Sequence, residues 1–187
     1  MPSPSIERTS QMPIRALWST GHVERKATQL AAGCARHRRP DLSDIEKQIH
    51  RVIGSYGAAV LAKDVEAFMR LYHPNVRVFD TWGVWLYGDA PSWRTAVEGW
   101  FTSLGTERVK VSFSEVQTTA EQSLATVSAV VTYAAESAQG EPLRSMQNRI
   151  TWVLRESGHV FRIMHEHTSA PIGFEDFKAI LARVKQS

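Results

Sequence analysis

Apolar positions recur at helical spacing in the first half of this chain and at strand spacing in the second. Ile45, Ile49, Val52, Tyr56 and Ala59/Val60 form one helical stripe, opened by an S-x-x-E capping box at Ser43 and Glu46. Asp64 can cap a second, shorter helix carrying Val65, Phe68 and Leu71/Tyr72, which His73-Pro74 should end. Two short strands are expected next, Asn75–Phe79 and, past a turn at Thr81-Trp82-Gly83, Val84–Tyr87. A third helix starts around Gly88-Asp89-Ala90-Pro91; its apolar face is Trp93, Val97, Trp100, Phe101 and Leu104, with Gly105 as its stop. Period-two patterns then mark long strands over residues 109–118, 123–136 and 143–155, and a final strand runs from a turn at Glu156–His159 to Ser169. Phe174, Phe177, Ile180/Leu181 and Val184 predict a terminal helix over residues 173–185. The order ααββαββββ plus a tail helix describes an α+β domain, helices segregated to one side of a mostly antiparallel sheet.

The last strand carries the most chemistry. Strict alternation puts Phe161, Ile163, His165, His167 and Ser169 on one face, and Arg162, Met164, Glu166 and Thr168 on the other. The first face begins apolar and ends imidazole, imidazole, hydroxyl, as a strand does when it leaves a core for the polar end of a pocket. A half-exposed strand end is the plain alternative.

Composition changes this picture in one place. Residues 1–40 hold seven Lys/Arg against Glu7 and Glu24, a net +5, whereas the remainder carries −2. The pI near 9.2 therefore belongs to the first forty residues, and the domain offers no charge argument for nucleic acid. Those residues lack the apolar run of a secretory signal and read as a basic, mobile extension. They also superficially suit an organelle transit peptide, or sequence upstream of a later start such as Met12. The expected division is residues 1–40 extension, 41–172 domain and 173–187 helical tail. No apolar stretch approaches the length of a membrane span. Cys34 is the single cysteine, so an internal disulfide and a multi-cysteine zinc site are excluded. A reducing, cytoplasmic compartment fits.

Several stretches together resemble the SnoaL-like branch of the NTF2-like superfamily. They are Ala62-Lys63-Asp64-Val65, Val78-Phe79-Asp80-Thr81-Trp82-Gly83, Gly88, residues Arg149–Arg155, and the closing His165-Glu166-His167-Thr168-Ser169-Ala170-Pro171. The likeness spans about residues 43–172. It implies a cone: a curved sheet wrapped around a pocket, closed on one side by helices, and usually paired into a homodimer through the sheet's outer face. The family holds ketosteroid isomerase, polyketide cyclases, dehydratases and binding proteins without catalysis, so the fold alone does not choose a function.

The resemblance places Asp80 where ketosteroid isomerase carries its proton-shuttling carboxylate, and Tyr56 where that enzyme has its oxyanion-stabilising tyrosine. A carboxylate can take the proton alpha to a carbonyl while a phenol donates to the enolate oxygen. The isomerase's second, protonated carboxyl has no counterpart on the strand before the Gly158 turn, where Arg149 or Ile150 stands. Asp80 alternatively reads as a turn aspartate, and Tyr56 as a core tyrosine. His165 and His167 can orient Asp80, act as acid and base, or bond structurally at the rim, with His167 the preferred partner of Asp80. They can reach one metal ion, and Asp80 or His73 could supply a third ligand, but the sequence does not show that these converge, and no metal or cofactor is expected. Arg149 and Thr151 enter the pocket only if Ile150, Trp152 and Leu154 face elsewhere. Trp82 is expected at the mouth, and Ser169 beside the ligand.

Three functions compete. The first is a pocket for a small, largely apolar carbonyl compound with cofactor-free proton transfer: Asp80 as base, His167 as partner and Tyr56 as oxyanion donor. The second is a non-catalytic binding or association module. The third makes the basic extension a dock for an acidic partner.

Overall fold

The computed structural model describes residues 42–183, with side chains from residue 43 onward. The basic extension over residues 1–40, and the roles expected of it, lie outside the described residues. Helix α1 is Leu42–Ala62 and α2 is Val65–Met69; strand β1 is Tyr72–Phe79; α3 is Ala90–Ser103. Four long strands follow: β2 Arg108–Glu121, β3 Leu124–Glu136, β4 Pro142–Ser157 and β5 Val160–Ser169. They form one curved sheet in the order β1-β5-β4-β3-β2, with β1 parallel to β5 and the other pairs antiparallel. This is the expected α+β cone.

Local chemistry accounts for most boundaries. Asp64 Oδ1 accepts from Ala67 N at 2.8 Å to start α2, and Asp89 Oδ1 accepts from Ser92 N at 2.8 Å to start α3. Gly158 and His159 both have positive φ, 62° and 64°, the two-residue turn whose twist suits the β4–β5 hairpin. The helices cover one face of the sheet. Tyr56, on the buried stripe of α1, stacks at 5.3 Å on Trp152 of β4 and at 4.9 Å on Phe68 of α2. Gly57 lets α1 lie close to β2, because a Cβ there would come within 3.3 Å of Val111 O. Phe68, Trp152, Phe161 and Ile163 are all but sealed from solvent. Each contributes about 1.5–3 kcal/mol by leaving water.

Three expectations change. Helix α2 ends at Met69, and β1 already runs through Pro74, which a sheet-edge strand tolerates. The strand expected at Val84–Tyr87 shrinks to one bridge between Val78 and Tyr87, leaving Trp85 96% exposed. The tail helix does not form over residues 173–183; the last four residues lie outside those described. An isolated short amphipathic helix is marginal, and the backbone has better partners. Strand β5 stops opposite Arg149, so the first half of β4 lacks a neighbour there, and Gln147 N donates to Leu181 O at 2.7 Å. The segment folds back to bring this about: Ile180 N donates to Pro171 O, Gly173 N to Lys178 O, and Phe177 adopts a φ of 56°.

Candidate functional site

One irregularity decides which side chains reach the interior. Leu154 pairs with Ile163 but Val153 pairs with His165, so Met164 is an extra residue in β5, a β-bulge. The alternation resets there. Phe161 and Ile163 face the helices before the bulge, and Glu166 and Thr168 face them after it. His165, His167 and Ser169 therefore point to the outer face, against the expectation from strict alternation. His165 Nδ1 bonds Arg77 O at 2.8 Å, and both imidazoles meet Phe79 edge-on, at 5.0 and 5.7 Å. Arg149 and Thr151 are exposed on the same outer face, because Ile150, Trp152 and Leu154 are the buried set on β4. The expected His167–Asp80 pair is not formed.

The inner face encloses a cavity of about 600 Å³. Trp93, Ala96 and Trp100 of α3 and Leu104 supply one wall, Tyr133, Ala135, Met146 and Asn148 the sheet floor, and Leu181 of the folded-back tail part of the rim. Asp80, Tyr56 and Trp82 also line it. Asp80 continues the inward series Val76, Val78 one step past β1. Its Oδ1 accepts from Thr168 Oγ1 at 2.8 Å, and the backbone amides of Thr81 and Trp82 add to its bonds. Thr168 Oγ1 in turn accepts from Thr81 N at 2.8 Å, which locks the loop carrying Trp82. Burial raises the Asp80 pKa above the usual carboxylate range, against the pull of those donors.

Glu166 lies deeper, 1% exposed. Its Oε2 accepts from Tyr72 Oη at 2.7 Å and from Trp152 Nε1 at 2.8 Å. Desolvation lifts its pKa to about 7, and the charge of Asp80 adds to the rise. Tyr56 Oη and Tyr133 Oη lie 2.9 Å apart, and burial raises both phenol pKa values, so both stay protonated at neutral pH. The chain's four tyrosines thus gather around two carboxyls. Among the described residues the one basic side chain on the cavity wall is Arg144, which Glu107 holds through bonds of 3.0 and 2.6 Å. The buried Asn148 Oδ1 on the wall has no hydrogen-bond partner among the described residues.

The sequence therefore placed Asp80, Tyr56 and Trp82 on the cavity, and not His165, His167, Arg149, Thr151 or Ser169. It missed Glu166, Thr168, Tyr133 and Asn148. Glu166 supplies the second carboxyl for which β4 offers no candidate, and does so from β5. A period-two reading cannot register an inserted residue, and Met164 passes for an ordinary strand position. Among the described residues no three His, Cys, Asp or Glu side chains gather as a metal site would require.

A curved sheet, helices on its inner side and a cavity between them define an NTF2-like cone. The SnoaL-like domain family matches residues 49–173, and the chain belongs to that family. Solved structures agree on the fold. An NTF2-like protein of unknown function from Pseudomonas putida is 20% identical, with a TM-score of 0.67 over 76% of this chain and 97% of its own. A putative calcium/calmodulin dependent protein kinase II association domain from Xanthomonas campestris is 18% identical, with a TM-score of 0.57 over 81% of this chain and 98% of its own. Aln2 from a Streptomyces species is 11% identical, with a TM-score of 0.60 over 70% of this chain and 93% of its own. No curated protein sequence matches the chain at a significant level.

Proposed function

We propose that the cavity binds a small, largely apolar molecule bearing a carbonyl group, and that Asp80 moves a proton alpha to that carbonyl. The observation that carries this reading is the placement of Asp80. Its carboxyl lines the same cavity as the Tyr56–Tyr133 hydroxyl pair, fixed by Thr168 at 2.8 Å and raised in pKa without a cation to neutralise it. A carboxylate of raised pKa is a stronger base than an ordinary one and, when ionised, is suited to abstract a carbon-bound proton. The C–H electron pair moves into the enolate, whose oxygen receives a hydrogen bond from the tyrosine pair. Glu166 takes the place proposed for His167. With its pKa raised to about 7 by burial, its protonated form supplies a further donor or the proton that returns to carbon. The cavity's volume falls in the range of small-molecule sites, and its aromatic wall suits a flat ring system.

Proton transfer is read directly as deuterium uptake at the alpha carbons of 2-tetralone, a bicyclic ketone, followed by NMR in heavy water. The wild type should exceed the buffer rate, and Asp80→Asn should lose about 10²–10⁴-fold of that enhancement while keeping its fold. Undiminished exchange in Asp80→Asn removes Asp80 from the mechanism. Binding of 2-tetralone without exchange by the wild type leaves a non-catalytic pocket protein.

The same reading includes a homodimer through the outer face of the sheet, in the cytoplasm. No described helix is long and apolar enough to cross a membrane. A light-scattering mass of one chain at micromolar concentration would exclude the dimer.

A further inference from the structure

Exposed apolar side chains gather at one end of the domain. Strands β1 and β5 run parallel, with Phe79 beside His167, so the loop after β1 and the tail after β5 leave the same end of the sheet. Thr168 ties the loop to that end by accepting from Thr81 N. Among the described residues, eight of the twelve exposed large apolar side chains lie on these two segments, four within residues 82–86 and four within residues 172–180. Four of the eight are aromatic: Trp82, Trp85, Phe174 and Phe177, the last three 96%, 93% and 81% exposed. The remaining four of the twelve stand singly on β2, β3, β4 and β5, as on any surface. A concentration of this kind marks a surface that meets something apolar.

Neither segment is built as a packing face. The loop has one bridge, Val78 to Tyr87, and the tail one, Ile172 to Ala179. Rings projecting from such segments suit a fluid partner that needs no matched shape, and aromatic side chains settle where a bilayer meets water. Charge points the same way. The chain's positive excess lies in residues 1–40, net +5, and a second copy of the chain would bring the same excess. Arg77 and Arg149 are exposed at this end, beside His165 and Ser169, and no described carboxylate pairs with either. Of the acids on the two segments, Asp80 is bound by Thr168, Asp89 caps α3 and Asp176 faces Lys178 at 4.0 Å, which leaves Glu175 against them. We propose that this end of the domain docks on the surface of an anionic lipid bilayer, its aromatic side chains entering the headgroup layer and the basic residues meeting the headgroup charges. The chain would lie on the membrane, and no described helix is long and apolar enough to cross it. Trp82 and Leu181 also line the cavity, so the docked face adjoins it. The proposal is independent of the chemistry assigned to Asp80.

The test mixes the full chain with vesicles of phosphatidylcholine, alone or with about 30% phosphatidylserine, and measures the bound fraction by sedimentation. The wild type should bind the anionic vesicles about tenfold or more tightly than the neutral ones, a preference that should fall to under about twofold in about 0.5 M salt. The double variant Trp85→Ser, Phe174→Ser should lose about tenfold or more of its affinity for the anionic vesicles. Both side chains are almost wholly exposed, so its melting temperature should stay at the wild-type value, which separates lost docking from a lost fold. The pair Trp85→Phe, Phe174→Trp keeps two rings and should bind within about twofold of the wild type. No binding to anionic vesicles, equal binding to both kinds, full binding by the serine variant or a tenfold loss in the ring-conserving one overturns the proposal. Self-association of the wild type in light scattering, abolished by the serine variant while vesicles stay unbound, overturns it too and gives the surface to a second copy.

Discussion

Glu166 and His167 are neighbours on one strand with opposite surroundings. Glu166 is sealed beneath the helices with two donors on one oxygen, Tyr72 and Trp152, while His167 stands on the outer face with its ring edge against Phe79. The sequence marks them almost alike: two titratable residues in a polar run after an apolar stretch. What separates them is Met164. One extra residue transfers the interior from the histidines to the carboxyl and the threonine hydroxyl. The chemistry open to the cavity changes with it, from imidazole acid–base work to a pair of carboxyls among phenols.

The comparison is broken most directly by truncating the inner member. Glu166→Ala leaves Tyr72 Oη and Trp152 Nε1 buried without an acceptor and opens a void beside them. The expected loss at pH 7 is about 3 kcal/mol, two unsatisfied donors and a small cavity set against relief from burying an acid. Urea unfolding followed by circular dichroism measures it, and a loss below about 1 kcal/mol would mean that the carboxyl is not sealed as described.

Glu166→Gln separates the shape of that side chain from its charge. The folded-state pKa of about 7 lies above the ordinary 4.5, so the native state holds a proton that the unfolded chain has released. Stability contributed by Glu166 is therefore full below about pH 4.5, falls as pH rises through the window to about 7, and then levels off, a span of about 3 kcal/mol. Glutamine keeps an acceptor for Tyr72 and Trp152 and does not titrate. The advantage of Glu166→Gln over the wild type should grow from pH 4.5 to pH 7.5 in parallel melting curves, and a pH-independent difference would place the titration elsewhere.

A smaller effect is expected at Thr168, which joins the acid to the loop. Thr168→Val removes the donor to Asp80 and the acceptor of Thr81 N, a loss of about 1–3 kcal/mol. Burial already raises the Asp80 pKa and the Thr168 hydroxyl opposes that rise, so the variant's pKa moves further up. A base works when ionised. The rising acid limb of the exchange rate against pH should shift to higher pH in Thr168→Val, and a shift to lower pH would contradict the arrangement.

How much of this was legible in the sequence follows from what each pattern measures. The buried stripe of α1, the Asp64 cap and the hairpin at Gly158 rest on local chemistry, and the sequence specified them. Asp80 was found through the family resemblance, and the structure shows why it reaches the cavity: it extends the inward period of Val76 and Val78 before any irregularity. The tail failed for a non-local reason: its helical stripe competes with a vacant edge on β4 that only the assembled sheet creates. Tyr133 and Asn148 were hidden among residues that look like ordinary strand positions, since neither period nor motif says which of two faces holds the cavity. The bulge is the sharpest case, because it reverses a correct rule at one point and leaves no mark in composition.

The smallest effect tests the outer member of the pair. His167→Ala removes a side chain that lines a second hollow, of about 590 Å³, together with Asp80, Trp82 and Thr168, but forms no hydrogen bond to Asp80. Its edge contact with Phe79 is shared with His165, and the Arg77 guanidinium also covers that ring, at 5.0 Å from its centre. Loss of one of three contacts at an exposed site should change stability by about 0.5 kcal/mol or less. Alpha-exchange of 2-tetralone should stay within about twofold of the wild type, since the partners of Asp80 are Thr168 and the amides of Thr81 and Trp82 and not the imidazole; twofold is about 0.4 kcal/mol of barrier, below what a general acid–base group typically contributes. A hundredfold loss in His167→Ala would place the imidazole back in the mechanism, and would mean that the inner and outer faces of β5 communicate through Thr168 or the loop at Trp82.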